Sequence, residues 1–160
     1  MKKVYDMLIV GGGPGGYSAA LYAARAGLSV AVLERMSIGG QMALTGQIDN
    51  YPGFETGIDG FTLGQKMQAG AERFGTETLL AEVRSVQLAD TQVEGLDEPV
   101  KVIETSHGTI YGRTVILATG AKARKLGIAD EDELVGKGIN YCAACDGNAY
   151  RGKTVIVVGG

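Results

Sequence analysis

Three apolar runs punctuate the chain, and each ends in a turn of small residues. Met7-Leu8-Ile9-Val10 runs into Gly11-Gly12-Gly13, and Val115-Ile116-Leu117-Ala118 into Thr119-Gly120-Ala121. Thr154-Val155-Ile156-Val157-Val158 runs into Gly159-Gly160. Short runs without polar alternation predict strands covered on both faces, as in parallel sheets. After the first glycines, Pro14 to Ala26 carries Ala19, Ala20, Ala23 and Ala24, a small-residue face suited to close packing on a sheet. Gly27 stops this helix in the usual C′ position. Leu28 to Leu33 then predicts a second strand, ending at Glu34. Strand, glycine turn, helix and strand make a βαβ unit.

Residues 38–59 have little periodicity and many turn residues, which predicts a long ordered loop. Phe61, Met67, Ala71 and Phe74 recur on one side of a helix closed by Gly75. Beyond Thr76 the pattern becomes β-like, with Leu79-Leu80, Val83 to Leu88 and Val100 to Thr105, and Ser106-His107-Gly108 as a hairpin turn. The expected class is α/β, a Rossmann-like three-layer fold with a small antiparallel β-meander. The expected boundaries are a first nucleotide-binding domain over 1–121, then a linker and the start of a second dinucleotide-binding domain over 122–160. The run 154–160 repeats the opening strand and its glycines, so the chain reads as stopping at that domain's first turn.

The 160 residues are 45% hydrophobic and 21% charged, as in globular proteins. Glycine is the outlier, at 26 residues. A net charge of −3 with no basic block gives no reason to expect nucleic acid or an acidic membrane as partner. The Lys2-Lys3 opening precedes an apolar run too short for a signal peptide, and no stretch reaches membrane-spanning length. The cytoplasm is therefore the expected compartment.

Gly11-x-Gly13-x-x-Gly16 follows a predicted strand, opens a helix and precedes an acidic residue, Glu34, about twenty residues further on. The first glycine suits a tight turn, the second lets a pyrophosphate approach the backbone, and the third lets helix and strand pack closely. The helix end offers free N–H groups to phosphates, and Glu34 can accept hydrogen bonds from a ribose. A tight turn without a ligand is the bland alternative.

The two cysteines form Cys142-Ala143-Ala144-Cys145, followed by Asp146-Gly147. A structural bridge over so short a loop adds little stability, and His107 with one Cys-x-x-Cys makes no complete zinc set. His107 belongs to its hairpin turn, and no metal site is expected. A reversible dithiol/disulfide couple fits the spacing better, with Asp146 placed to handle its proton.

These residues, with Gly39-Gly40-Gln41, Asp49-Asn50-Tyr51-Pro52-Gly53 and Ala118-Thr119-Gly120-Ala121, occur in an order that resembles the low-molecular-weight, bacterial-type thioredoxin reductases. The resemblance implies that residues 1–121 are the N-terminal part of an FAD-binding domain. FAD would lie on Gly11, Gly13, Pro14, Gly15, Gly16, Glu34, Arg35, Gly40, Gln41, Asn50, Thr119 and Gly120. It implies electron flow from NADPH through FAD to the Cys142–Cys145 disulfide and on to thioredoxin. Cys145 would be nearer the flavin, Cys142 its partner and Asp146 the acid, in a homodimer whose nicotinamide domain rotates. The family's C-terminal completion of the FAD domain and most of its NADPH domain are not in this sequence, so the chain alone is expected to be inactive. The absence of a thioredoxin-like region before Met1 favours this group over the reductases of peroxidase systems. A ferredoxin-fed enzyme of the same fold, or a non-catalytic nucleotide-binding module with a redox-sensing cysteine pair, stays open.

Overall fold

A computed structural model describes residues 2–159, apart from the side chains of Ala144 and Cys145. The chain divides into two compact units, 1–120 and 121–160.

The first unit is built on one six-stranded sheet. Its strands are β1 (Val4–Val10), β2 (Val30–Glu34), β3 (Glu77–Leu80), β4 (Val83–Thr91), β5 (Val100–Thr105) and β6 (Gly108–Leu117). They lie in the order β3-β2-β1-β6-β5-β4. The first four neighbours are parallel, with Ile9 opposite Val32 and Leu8 opposite Val115. The last pairs are antiparallel, with Ile103 opposite Ile110. This is the expected α/β class, with the helices packed on one face of β1 and β2 and meander side chains on the other.

The unbroken apolar runs have a direct cause. Successive side chains of β1 point to opposite faces, and both faces are covered. Ile9 packs with Tyr17, Ala20, Ala24, Val30 and Val32 beneath the helices. Leu8 and Val10 pack on the other face with Leu33, Ile103, Val83, Val86 and Ile110. The expected strand Val115–Ala118 is the end of a longer one. β6 begins at the hairpin turn, pairs with β5 over residues 108–112, and pairs with β1 over 111–117.

Helix α1 (Pro14–Arg25) follows the glycines; Ala20, Ala23 and Ala24 of the expected face are buried and Ala19 partly so, joined by Gly16 and by Tyr17, 1% exposed. Helix α2 (Gly60–Glu72) starts at an Asp59 N-cap whose side chain accepts from the Thr62 N–H at 2.9 Å. Its core side matches the expected one in Ala71 and the partly buried Met67, but not at the phenylalanines. Leu63, Gly64 and Ala71 are buried, whereas Phe61 and Phe74 are exposed. Close approach fixes one position of that face: a Cβ on Gly64 would lie 2.9 Å from the Gly39 Cα.

The long loop is ordered by backbone bonds. The Gly39 N–H donates to the Gly12 carbonyl at 2.8 Å, and Gly60 N–H to Thr45 at 2.9 Å, while Ile48 and Ile58 form a bridge. Residues Gly40–Leu44 form a 3₁₀ turn within it.

The second unit contains two single-turn helices, α3 (Glu131–Leu134) and α4 (Ala143–Asp146), and a 3₁₀ turn over Gly147–Tyr150. The strand expected over Thr154–Val158 is not formed. A strand exists only against a partner, and this run has none among the described residues; Ile156 and Val157 are 89% and 83% exposed.

Candidate functional site

The C-terminal ends of β1, β2 and β6 converge in the first unit, and backbone geometry explains why glycine is needed there. Gly11 leaves β1 at φ +110°, a conformation costly for residues with a Cβ. A Cβ there would also lie 2.3 Å from the Ala118 carbonyl oxygen, just past β6. The Gly11 N–H donates to the Leu33 carbonyl and the Ala118 N–H to the Val10 carbonyl, each at 2.8 Å. On the helix side, a Cβ on Gly16 would come within 1.9 Å of the Gly11 carbonyl oxygen. Both positions are set by contact between main chains.

Gly13 and Gly15 behave differently. Nothing lies within 4 Å of a Cβ on Gly15, and the only neighbour of one on Gly13 is the Gly39 oxygen, at 4.0 Å. Gly13 is the N-cap of α1, and no side chain caps that helix end. An accessible backbone beside uncapped N–H groups is the surface a pyrophosphate needs. The residues present fit an FAD-type dinucleotide.

Glu34, half-buried at the end of β2, faces this turn. Its Oε2 accepts from the Gly12 N–H at 2.8 Å, and its Oε1 from Arg35 N–H at 2.8 Å and Met36 N–H at 3.1 Å. A carboxylate offers about four lone-pair positions, so acceptor capacity remains for a ribose hydroxyl. Gly12 was not among the residues singled out from sequence, and the run of three glycines was its only signal. Gly39 was likewise named only within a motif, although it ties the loop to Gly12.

The other expected residues distribute unevenly. Gly40 meets the turn, since a Cβ there would lie 3.3 Å from the Gly13 Cα. Gln41 is exposed in the 3₁₀ turn, and Arg35 is exposed with its guanidinium 3.7 Å from Glu82. The Thr119 nitrogen would be 3.3 Å from a Cβ on Gly11, and Gly120 follows at φ +70°. Asn50 lines a separate hollow of about 420 Å³ formed by residues 49–55. Pro14 occupies the first turn of α1, where its missing N–H costs nothing.

Tyr17 anchors the helix beneath. Its hydroxyl lies 3.3 Å from Thr78 Oγ1, and burial pushes its phenol above the ordinary value.

In the second unit, Cys142 is half-buried directly before α4, and Asp146 ends that helix. The Asp146 N–H donates to the Cys142 carbonyl at 2.9 Å. The Cys145 side chain lies outside the described residues. His107 sits in the hairpin turn, with Nδ1 3.0 Å from Ser106 Oγ. Among the described residues, no group of His, Cys, Asp and Glu side chains could hold a metal, and no helix is long and apolar enough to cross a membrane.

Comparison with known proteins matches residues 5–160 to the family model described as "Pyridine nucleotide-disulphide oxidoreductase". A thioredoxin reductase of Listeria monocytogenes is 43% identical over 159 residues, covering 99% of this chain and 47% of that protein. The crystal structure of thioredoxin reductase from Streptococcus pyogenes superposes with a TM-score of 0.77 at 40% identity, over 94% of this chain and 46% of that one. A ferredoxin-flavin thioredoxin reductase from Clostridium acetobutylicum aligns at 30% identity with a TM-score of 0.62, over 94% and 49%. The chain thus spans about half the length of the relatives it matches.

Proposed function

This chain belongs to the pyridine nucleotide-disulphide oxidoreductase family, and from that membership we propose that the whole protein is a thioredoxin-disulfide reductase. Electrons pass from NADPH through FAD to a Cys142–Cys145 disulfide and then to thioredoxin. One observation carries the reading: an open glycine turn at an uncapped helix end occurs in the same chain as a Cys-x-x-Cys-Asp segment.

On this reading residues 1–121 are the N-terminal part of the FAD domain. Residues 122–160 are a linker and the start of the NADPH domain. The Gly11–Gly16 turn, with Pro14 at its centre, holds the pyrophosphate of FAD and Glu34 holds a ribose. Arg35, Gly40, Gln41, Thr119 and Gly120 complete the site, and Asn50 contributes from the hollow of residues 49–55. Bound FAD supplies two-electron exchange between the pyridine nucleotide and the disulfide.

The cysteines hand electrons on by thiol–disulfide exchange. The Cys142 thiolate attacks the partner's disulfide, forming a mixed disulfide and releasing one partner thiolate, which takes a proton from Asp146. The Cys145 thiolate then attacks the Cys142 sulfur. The second partner thiolate leaves and is protonated from water, and the protein's pair ends bridged. The partner has gained two electrons and two protons. The working form is taken to be a cytoplasmic homodimer.

Titrating the purified whole protein with NADPH tests this reading. A flavin band that bleaches while two thiols appear supports it; a yellow protein unmoved by NADPH and by reduced ferredoxin supports a non-catalytic module with a redox-sensing pair. The likeness to the Clostridium protein favours a second donor reading, in which reduced ferredoxin bleaches the band and NADPH does not.

A further inference from the structure

Among the described residues of 121–159, one side chain is buried, and it is a carboxylate. Glu131 is 5% exposed and has no part in the exchange chemistry above. Burying a carboxylate is costly unless its oxygens are hydrogen-bonded. Those of Glu131 accept from the Leu126 N–H and the Gly127 N–H, each at 2.8 Å, and from the Tyr141 hydroxyl. The neighbouring ammonium of Lys125 is engaged with Asp132 instead, at 2.6 and 2.8 Å.

The placement of these donors matters. Tyr141 immediately precedes Cys142, so the Glu131 carboxylate ties residues 126–127 to the entrance of the cysteine segment. One residue earlier, Asn140 Nδ2 donates to the Tyr150 hydroxyl at 2.5 Å. Tyr150 ends the turn that follows α4. The backbone leading into Cys142 is therefore held by a buried polar hub on one side and by the exit of the same segment on the other.

We infer that Glu131, acting through Tyr141, is a positioning residue for Cys142 that favours the bridged state of the cysteine pair. The inference rests on the redox reading of that pair. A tether on the approach to Cys142 lowers the conformational freedom lost when the two sulfurs join, and so raises the effective concentration of one thiol at the other.

The test uses the full-length, FAD-loaded protein equilibrated in glutathione buffers of graded composition, with thiols counted by alkylation and mass. Tyr141→Phe, which keeps the ring, should lower the equilibrium constant for disulfide formation at least threefold. Glu131→Gln should lower it in the same direction. The double variant should fall no further than the larger single change, because both act through one contact. Asp132→Asn, which removes an exposed ion pair on the same helix, should leave the constant where it was. An unchanged constant in Tyr141→Phe, with only its melting temperature reduced, overturns the inference. Should that variant not fold, an unchanged constant in Glu131→Gln does the same. A wild-type protein that never forms the disulfide in any buffer removes the redox reading itself, a separate and recognisable failure.

Discussion

The Gly12 amide donates to Glu34 Oε2 at 2.8 Å, so the turn that ends β1 and the residue that ends β2 are locked together before any ligand is considered. Gly12 is buried, and a Cβ on it would touch the Glu34 side chain at 3.1 Å.

Removing that acceptor leaves a buried N–H without its partner. Glu34→Ala should cost roughly 1–3 kcal/mol of unfolding free energy, measured as a lower denaturant midpoint at unchanged slope. FAD affinity should fall about tenfold, equivalent to ~1.4 kcal/mol. A variant with the wild-type midpoint would show that the bond contributes nothing to the fold.

Gly16→Ala tests close packing of helix on turn. The added Cβ meets main chain at 1.9 Å and cannot be relieved by a side-chain rotation. A loss of about 1–3 kcal/mol or more is expected, together with weaker FAD retention on gel filtration. Gly15→Ala, where the added atom meets nothing within 4 Å, should be far milder in stability.

Acid sensitivity should have an identifiable contribution from Asp6. Its carboxylate accepts from the Ser29 hydroxyl at 2.7 Å, the Ser29 N–H at 2.8 Å and Arg113 Nη1 at 2.5 Å. The Ser29 bonds first, and Arg113 after them, hold its pKa below the ordinary aspartate value. A carboxyl depressed on folding contributes stability above its unfolded pKa and loses it as pH falls through the folded one. Urea midpoints should therefore drop as pH is lowered below about 4, the unperturbed aspartate value, toward the lower folded one. Asp6→Asn should flatten that decline; an equally steep fall in the variant would rule Asp6 out as a source.

Asp146→Asn should slow thioredoxin reduction by the full-length protein by about 10²-fold, the lower range for loss of a positioned acid. Flavin bleaching by the electron donor should be little changed. Stopped-flow absorbance separates the two steps, and equal slowing of both would argue against a proton-transfer role.

The first βαβ unit was legible because every local signal agreed: an apolar run, glycines at the strand end, an alanine face and a terminal Gly27. The helix after residue 59 was legible in existence but not in orientation. Phe61 and Phe74 are the bulky choices for a core, yet the helix turns Leu63, Gly64 and Ala71 inward, with Gly64 set against the Gly39 backbone. No periodicity carries that information, because Gly64 meets a residue 25 positions earlier in the chain. The Gly12–Glu34 bond is hidden for the same reason. The pattern 154–158 had the composition of a strand, but composition cannot supply the partner that makes one.

β6 has the widest consequence for the first unit. One continuous segment is the parallel neighbour of β1 and the antiparallel neighbour of β5. Neither portion can open without exposing amides of the other, so they behave as one cooperative unit. Amide hydrogens in Leu8–Val10 and in Val102–Ile103 should exchange with a common opening free energy. The small meander draws its persistence from the nucleotide fold to which it is spliced.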